Sequence, residues 1–79
     1  IYAGPQTMEF NHNALKQARI EHKLKQSDVA FAIGTSVRTY QKWESGETIP
    51  DGHNLLRLMN WLNISDPQEL VIYDDYSDE

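Results

Sequence analysis

Two short helical segments separated by three residues limit the possible folds more than any other feature of this sequence. The first segment, 26–33, has apolar side chains on one helical face: Val29, Ala30 and Ile33. Gly34 ends this segment, because glycine readily adopts the left-handed conformation that follows many helices. Ser36 is a good N-cap for the second segment, 37–45, which ends at Gly46. The pattern predicts two short helices joined by a tight turn that contains glycine.

Further helical patterns lie on both sides of this pair. Helix 1 is predicted over about 12–23, with Asn11 or Asn13 as its N-cap and an apolar edge formed by Leu15, Ala18 and Leu24. Helix 4 is predicted over about 51–63, with a buried stripe of Leu55, Leu58, Met59 and Leu62. On helix 3, spacing by three residues turns two aromatic side chains toward the core, Tyr40 and Trp43.

A fifth helix is predicted near the end of the chain. Asp66 can cap it, Pro67 suits its first position, and Glu69 completes a capping-box pattern before the apolar run 70–73. The fold class is therefore all-α, and the folded domain is expected over 12–73. The acidic residues 74–79 are expected to form a frayed tail.

The first eleven residues show no periodicity. Residues 1–11 are expected to be disordered, or to contain residues added during cloning or left by processing, with Met8 as the natural start. The alternative is that the sequence is a fragment of a longer chain.

Composition restricts the chemistry of the chain. Seventy-nine residues suffice for one domain with a small core, and the lack of cysteine excludes disulfides, thiolate catalysis and cysteine-based zinc sites. The composition suits a cytoplasmic protein, and no apolar stretch approaches the roughly 18 residues that span a bilayer. The three histidines, His12, His22 and His53, lack the spacing of a zinc site. The sequence contains neither an EF-hand pattern nor a catalytic arrangement. We expect no cofactor, no metal and no enzymatic activity.

The negative net charge is distributed unevenly. The chain carries −5 in total, but residues 12–50 carry +2 and residues 51–79 carry −6, with Arg57 as the one Lys or Arg in that second part. Binding to phosphates depends on local positive potential, so the first half remains a candidate for nucleic acid. The acidic half is expected to lie away from the phosphates.

The stretch 15–65 resembles the XRE family of phage-repressor-like, Cro-like helix-turn-helix domains. The match begins at Leu15-Lys16-Gln17-Ala18-Arg19 and continues at Leu24-Lys25-Gln26-Ser27-Asp28-Val29-Ala30 and Ile33-Gly34-Thr35-Ser36. Its strongest part is Tyr40-Gln41-Lys42-Trp43-Glu44-Ser45-Gly46, followed by Ile49-Pro50. The agreement of several spaced features in one order makes this resemblance specific.

The resemblance implies a five-helix bundle whose helix 3, about 36–45, enters the major groove of duplex DNA. It implies a sequence-specific transcriptional regulator such as a repressor. The outward face of helix 3 would then read or flank bases: Val37, Arg38, Gln41 and Lys42. Arg38 can pair with guanine and Gln41 with adenine, whereas Lys42 suits phosphate and Val37 suits a thymine methyl. On composition alone, Arg38 and Lys42 are also compatible with an ordinary solvated helix face.

Phosphate contacts are expected at the starts of helices 2 and 3. Gln26 matches a family residue that often contacts phosphate, and Ser36 and Thr39 are candidates for further backbone contacts. At the cap of helix 2 the family usually has serine or threonine, but this chain has Lys25, which cannot accept amide hydrogen bonds. We therefore hypothesise that Lys25 contacts phosphate.

One charged pair is assigned a structural role. Arg19 and Glu44 resemble the family's link between helix 1 and the end of helix 3, so losing one partner would leave an unpaired charge.

Two kinds of partner are considered besides double-stranded DNA. Such domains usually bind as two-fold dimers, and one apolar set could form the dimer surface or could simply close the core: Trp61, Leu70, Val71, Ile72 and Tyr73. The alternative function is a protein-interaction module, such as an antitoxin-like or antirepressor-like domain, which the net acidity favours a little. No membrane partner is expected.

Overall fold

Residues 6–75 are described in the computed structural model, and they form four α-helices, one 3₁₀ helix and a two-stranded sheet. In chain order the elements are β1 (Gln6–Phe10), α1 (His12–Glu21), α2 (Gln26–Ile33), α3 (Val37–Ser45), α4 (Gly52–Trp61), the 3₁₀ helix (Pro67–Leu70) and β2 (Val71–Asp75). The fold is mostly helical, as predicted, but a small sheet takes the place of the fifth helix.

The predicted helix pair is confirmed with the bounds that the sequence indicated for α2 and α3. Gly34 and Gly46 follow the two helices in the left-handed conformation, with φ of +80° and +85°. The Ser36 hydroxyl caps α3 by accepting a 3.1 Å hydrogen bond from the Thr39 amide. Asn11 caps α1, which ends at Glu21 rather than near residue 23.

The core lies where the four helices meet the 3₁₀ helix. Its largest fully buried side chains are Leu15, Val29, Ile33, Tyr40, Leu58, Leu62 and Leu70. Tyr40 and Trp43 meet edge to face, with ring centroids 5.9 Å apart. Ile64 is also buried, although the sequence analysis did not assign it to the core.

The prediction of helix 5 is wrong. Asp66 does cap a helical turn, with its carboxylate accepting a 3.0 Å hydrogen bond from the Gln68 amide, but the turn is 3₁₀ and ends at Leu70. The next residues, Val71–Asp75, pair with β1 as an antiparallel strand. Val, Ile and Tyr favour strands, and a short apolar run does not distinguish helix from strand until its partner is known.

Residues 6–10 were expected to be irregular, and that expectation is also wrong. They form β1, whose Phe10 lies opposite Val71 and whose Met8 lies opposite Tyr73. A 2.8 Å hydrogen bond from the Asn11 amide to the Leu70 carbonyl joins the start of α1 to this sheet. The expectations for residues 1–5 and 76–79 fall outside the described residues.

Within residues 6–75 no helix has the length and apolar character needed to cross a membrane. No group of three or more His, Cys, Asp or Glu side chains in the same residues is arranged to hold a metal ion.

The end of α3 yields a test of the fold. A Cβ atom at Gly46 would be strained by the positive φ and would lie 2.9 Å from the His12 ring. We expect Gly46→Ala to lower the free energy of unfolding by about 1–3 kcal/mol, measured by urea denaturation. In the control Gly52→Ala the new methyl meets no atom within 4 Å, so that variant should equal or exceed wild type by up to about 1 kcal/mol. Equal stability of the two variants would contradict this account.

Candidate nucleic-acid interface

A buried carboxylate at the end of α3 joins three helices. Glu44 is 7% exposed, and Arg19 of α1 donates to it through Nε, at 2.6 Å, and through Nη2, at 3.1 Å. Gln26 of α2 donates at 2.9 Å, and the Tyr40 hydroxyl of α3 donates at 2.5 Å. Because each helix supplies a donor, the carboxylate fixes how α1, α2 and α3 lie relative to one another.

The same contacts keep Arg19 and Glu44 ionised. Burial alone would raise the pKa of the Glu44 carboxyl, but the hydrogen bonds from Arg19, Tyr40 and Gln26 hold that pKa below its ordinary value of 4.5. The hydrogen bond to Glu44 raises the pKa of the Arg19 guanidinium. Burial, and then the hydrogen bond to Glu44, raises the pKa of Tyr40, so its hydroxyl remains a donor. Arg19 and Glu44 are therefore an ion pair at neutral pH.

A second shared contact extends from this cluster to the outer face of α3. The side-chain nitrogen of Gln26, Nε2, donates to Glu44. The side-chain oxygen of Gln26, Oε1, is therefore turned away from Glu44. That oxygen accepts a 3.2 Å hydrogen bond from Nε2 of Gln41 on the exposed side of α3. The side chain of Gln41 is thus held in place by a buried anion through one intermediate residue.

Carbonyl groups near the turn and at the end of α3 are also held by side chains. Nδ1 of His12 donates to the Glu44 carbonyl at 3.0 Å, which ties the first turn of α1 to the last turn of α3. Arg57 of α4 donates through Nη1 to the Ile33 carbonyl at 2.8 Å, just before the left-handed Gly34. These contacts hold the turn between α2 and α3 and stabilise both helix ends.

The predicted reading residues lie together on the outer face of α3. Arg38 and Gln41 are exposed, Val37 is 38% exposed, and Lys42 is half-buried. Residues three and four apart are neighbours on a helix, so Arg38 lies beside both Gln41 and Lys42. Within the described part of the chain, no intramolecular hydrogen bond or ion pair is found for the side chains of Arg38 and Lys42.

The starts of the two helices differ in how their polar groups are used. The Ser36 hydroxyl accepts from the Thr39 amide and donates to the Thr39 hydroxyl at 2.9 Å, so its one O–H donor is already used. Lys25 occupies the N-cap of α2 without a side-chain cap bond, as predicted from its chemistry. The cap is completed differently, because the Asp28 carboxylate accepts a 2.9 Å hydrogen bond from the Lys25 backbone amide. The exposed ammonium of Lys25 takes no part in capping α2.

The sequence predicted Gln26 and Gln41 as DNA-binding residues but did not predict the contacts that hold this surface. Neither the link from Gln26 to Gln41 nor the contacts of His12 and Arg57 follows from periodicity, because each joins residues more than ten positions apart. The Asp28 contact did have a signal, since an acid three residues after the N-cap is the second half of a capping box.

Comparisons with known proteins agree with this geometry. The family model HTH_3, described as Helix-turn-helix, matches residues 15–70, so the chain belongs to this XRE-type helix-turn-helix family. A transcriptional regulator from Listeria innocua is similar in structure, with a TM-score of 0.71 and 27% sequence identity. The similarity covers 91% of this chain and 67% of the Listeria chain. Among curated proteins, the comparison finds no match.

The ion pair provides a test of what positions α3. Arg19→Met leaves Glu44 buried without its cationic partner, so we expect the free energy of unfolding at neutral pH to fall by about 3–5 kcal/mol. The double variant Arg19→Met/Glu44→Leu removes both charges and should recover much of that loss. Lys16→Met, on the exposed side of the same helix, should change stability little. A double variant that is no more stable than Arg19→Met would contradict the assignment.

The pH dependence of stability tests the role of the Glu44 carboxylate independently. Because folding lowers the pKa of Glu44, its carboxylate contributes stability above about pH 4.5 that is lost as the pH falls toward the lowered value. The difference in unfolding free energy between wild type and Glu44→Gln should therefore shrink as the pH is lowered below 4.5. A constant difference across that range would show that ionisation of Glu44 has no part in stability.

Proposed function

We propose that this chain is a DNA-binding transcriptional regulator that reads duplex DNA by inserting α3 into the major groove. The proposal rests on the outer face of α3, where Arg38, Gln41 and Lys42 lie beside one another. On the inner face of the same helix, Glu44 fixes its orientation. Membership of the helix-turn-helix family supports it. The major groove admits one helix and displays a distinct pattern of donors, acceptors and methyl groups for each base pair.

The bases are read by three residues in this proposal. Arg38 extends from α3, has no side-chain partner within residues 6–75, and donates to guanine in a bidentate manner. Gln41 reads adenine, and its contact with Gln26 already restricts its rotamer, so less conformational entropy is lost on binding. Val37, at 38% exposure, packs against a thymine methyl.

The phosphates are bound on either side of those bases. Lys42 and Lys25 supply positive charge, and the amides at the N-terminus of α2 provide an anion site beside Gln26. The hydroxyl of Thr39 and the N-terminal turn begun by Ser36 add contacts from α3. These contacts set the register of the protein on DNA and carry no sequence information themselves.

The distribution of charge supports this orientation. Six of the seven Lys and Arg residues fall within 16–42, and the sequence from residue 51 onward carries −6. Phosphates repel the acidic part, so the protein approaches DNA with α2 and α3 foremost.

A two-fold dimer is part of the proposal, but its surface has to be revised. Leu70 is 2% exposed and closes the core, so it is not available to a partner. Val71 is half-buried in the sheet, and the exposed members of the predicted set are Trp61, Ile72 and Tyr73. Ile72 and Tyr73 are successive residues of β2 and point to opposite faces of the sheet, so a single dimer surface includes only one of them. Two copies joined through Trp61 or one of these faces would address half-sites separated by about one helical turn of DNA, roughly 34 Å.

The dimer is tested by sedimentation over a range of protein concentrations. We expect a concentration-dependent shift from monomer to dimer, and we expect Trp61→Ala to move it to higher concentration, because an exposed aromatic side chain would be buried on association. A monomer at every concentration, with and without DNA, would remove the dimer from the proposal.

The base and phosphate roles predict different results in a mobility-shift assay. Sequences selected from random DNA supply the probe. Arg38→Ala should cost about 1–3 kcal/mol on the selected sequence and relax preference at one base position. Lys25→Ser should weaken binding uniformly across sequences, reduce the salt slope by about 1, and stabilise the free protein by about 1 kcal/mol.

Lys16→Ala, which removes the same charge from the exposed face of α1, is the control for general electrostatics. If Arg38→Ala weakens all sequences no more than Lys16→Ala does, the reading face is wrongly assigned. If Lys25→Ser leaves the salt slope unchanged, Lys25 does not contact phosphate.

A further inference from the structure

A groove of about 710 Å³ lies between β1 and the loop that joins α3 to α4. Met8, Glu9 and Phe10 of β1 and Thr48 and Ile49 of the loop are among the residues that line it. Half-buried Met59 and buried Leu70 contribute core side chains to its lining. The groove therefore joins the apolar interior to the surface.

The groove lies beside β1. Three consecutive residues of β1 line it, and Val71 shows that it also reaches the start of β2. β1 pairs with β2 on one side. For residues 8–10 no backbone hydrogen bond to the opposite side is found in the described part of the chain. The outward N–H and C=O groups of this edge can pair with another strand.

Both sides of the groove present apolar surface to solvent. Met8 is 65% exposed on the strand side, and Ile49 is 68% exposed on the loop side. Large exposed side chains in the lining offer contacts to an apolar side chain inserted into the groove.

The charge around the groove has one sign. Glu9 lies in its lining, and three exposed acids are chain neighbours of other lining residues: Glu47, Asp66 and Glu69. Among residues 6–75 no Lys or Arg lines the groove, and the sequence contains neither over 1–15 or 58–79. A bound segment would therefore be favoured by positive charge.

We propose that this groove binds an extended segment of a partner protein that adds as a strand to the free edge of β1. The segment has apolar side chains at alternate positions, which enter the groove, and Lys or Arg between them, which face the acidic rim. A second copy of this chain is a poor occupant, because neither of its strands contains Lys or Arg. The proposal is independent of DNA binding, since no residue from the outer face of α3 lines the groove.

The test uses three capped peptides of roughly seven residues and fluorescence anisotropy with the full chain. The first alternates Lys with Val or Ile, the second replaces each Lys by Glu, and the third carries N-methyl groups that prevent strand pairing. We expect the first to bind and the other two to bind at least about tenfold more weakly. Equal binding of the three peptides, or no binding of the first, would overturn the proposal.

Two variants matched in exposure locate the binding site. Ile49 is 68% exposed at the groove and Leu56 is 67% exposed on α4, outside its lining. Ile49→Ala should lower affinity for the first peptide about tenfold, and Leu56→Ala should leave it unchanged. Equal effects of the two variants would place binding elsewhere. If the peptide converts a dimer of this chain to monomer, and Ile49→Ala also weakens that dimer, the occupant is a second copy and the proposed partner is wrong.

Discussion

The carboxylate of Glu44 is buried at the junction of three helices, and an anion there is tolerated only if donors surround it. Those donors come from different elements: Arg19 from α1, Gln26 from α2 and Tyr40 from α3. Moving any one of these helices would leave a buried charge short of a partner. The small apolar core holds the helices together, and the carboxylate selects the orientation in which they pack.

The orientation of α3 determines which side chains reach the surface. With Tyr40, Trp43 and Glu44 facing inward, Arg38 and Gln41 must face outward. Gln26 carries the constraint one residue further, since its amide is oriented by Glu44 and in turn holds Gln41. A core interaction thus positions a side chain that we propose to read bases, which is how a short helix can present a defined surface before it meets its ligand.

Local sequence signals predicted the part of the fold that local interactions determine. The bounds of α2 and α3 followed from a cap, two glycines and helical spacing, and the resemblance to known domains supplied the pair of Arg19 with Glu44. The sheet could not be found this way, because Phe10 and Val71 pair across most of the chain and neither segment identifies its partner. For the same reason the run 70–73 was interpreted as a helix. The residues proposed to read bases were predicted as a set. The hydrogen bonds that link Gln41 through Gln26 to Glu44 could be found only in the three-dimensional structure.

The two proposed surfaces use opposite ends of the charge distribution, basic for DNA and acidic for a protein segment. DNA binding through α3 can be mapped residue by residue with amide chemical shifts measured by NMR. A duplex of selected sequence is titrated into the isotopically labelled chain at low salt. We expect shifts concentrated at residues 36–42 and at the start of α2, with little change at residues 6–10 and 71–75. Shifts concentrated in the sheet, or none at α3 under conditions in which DNA binds, would contradict binding through α3.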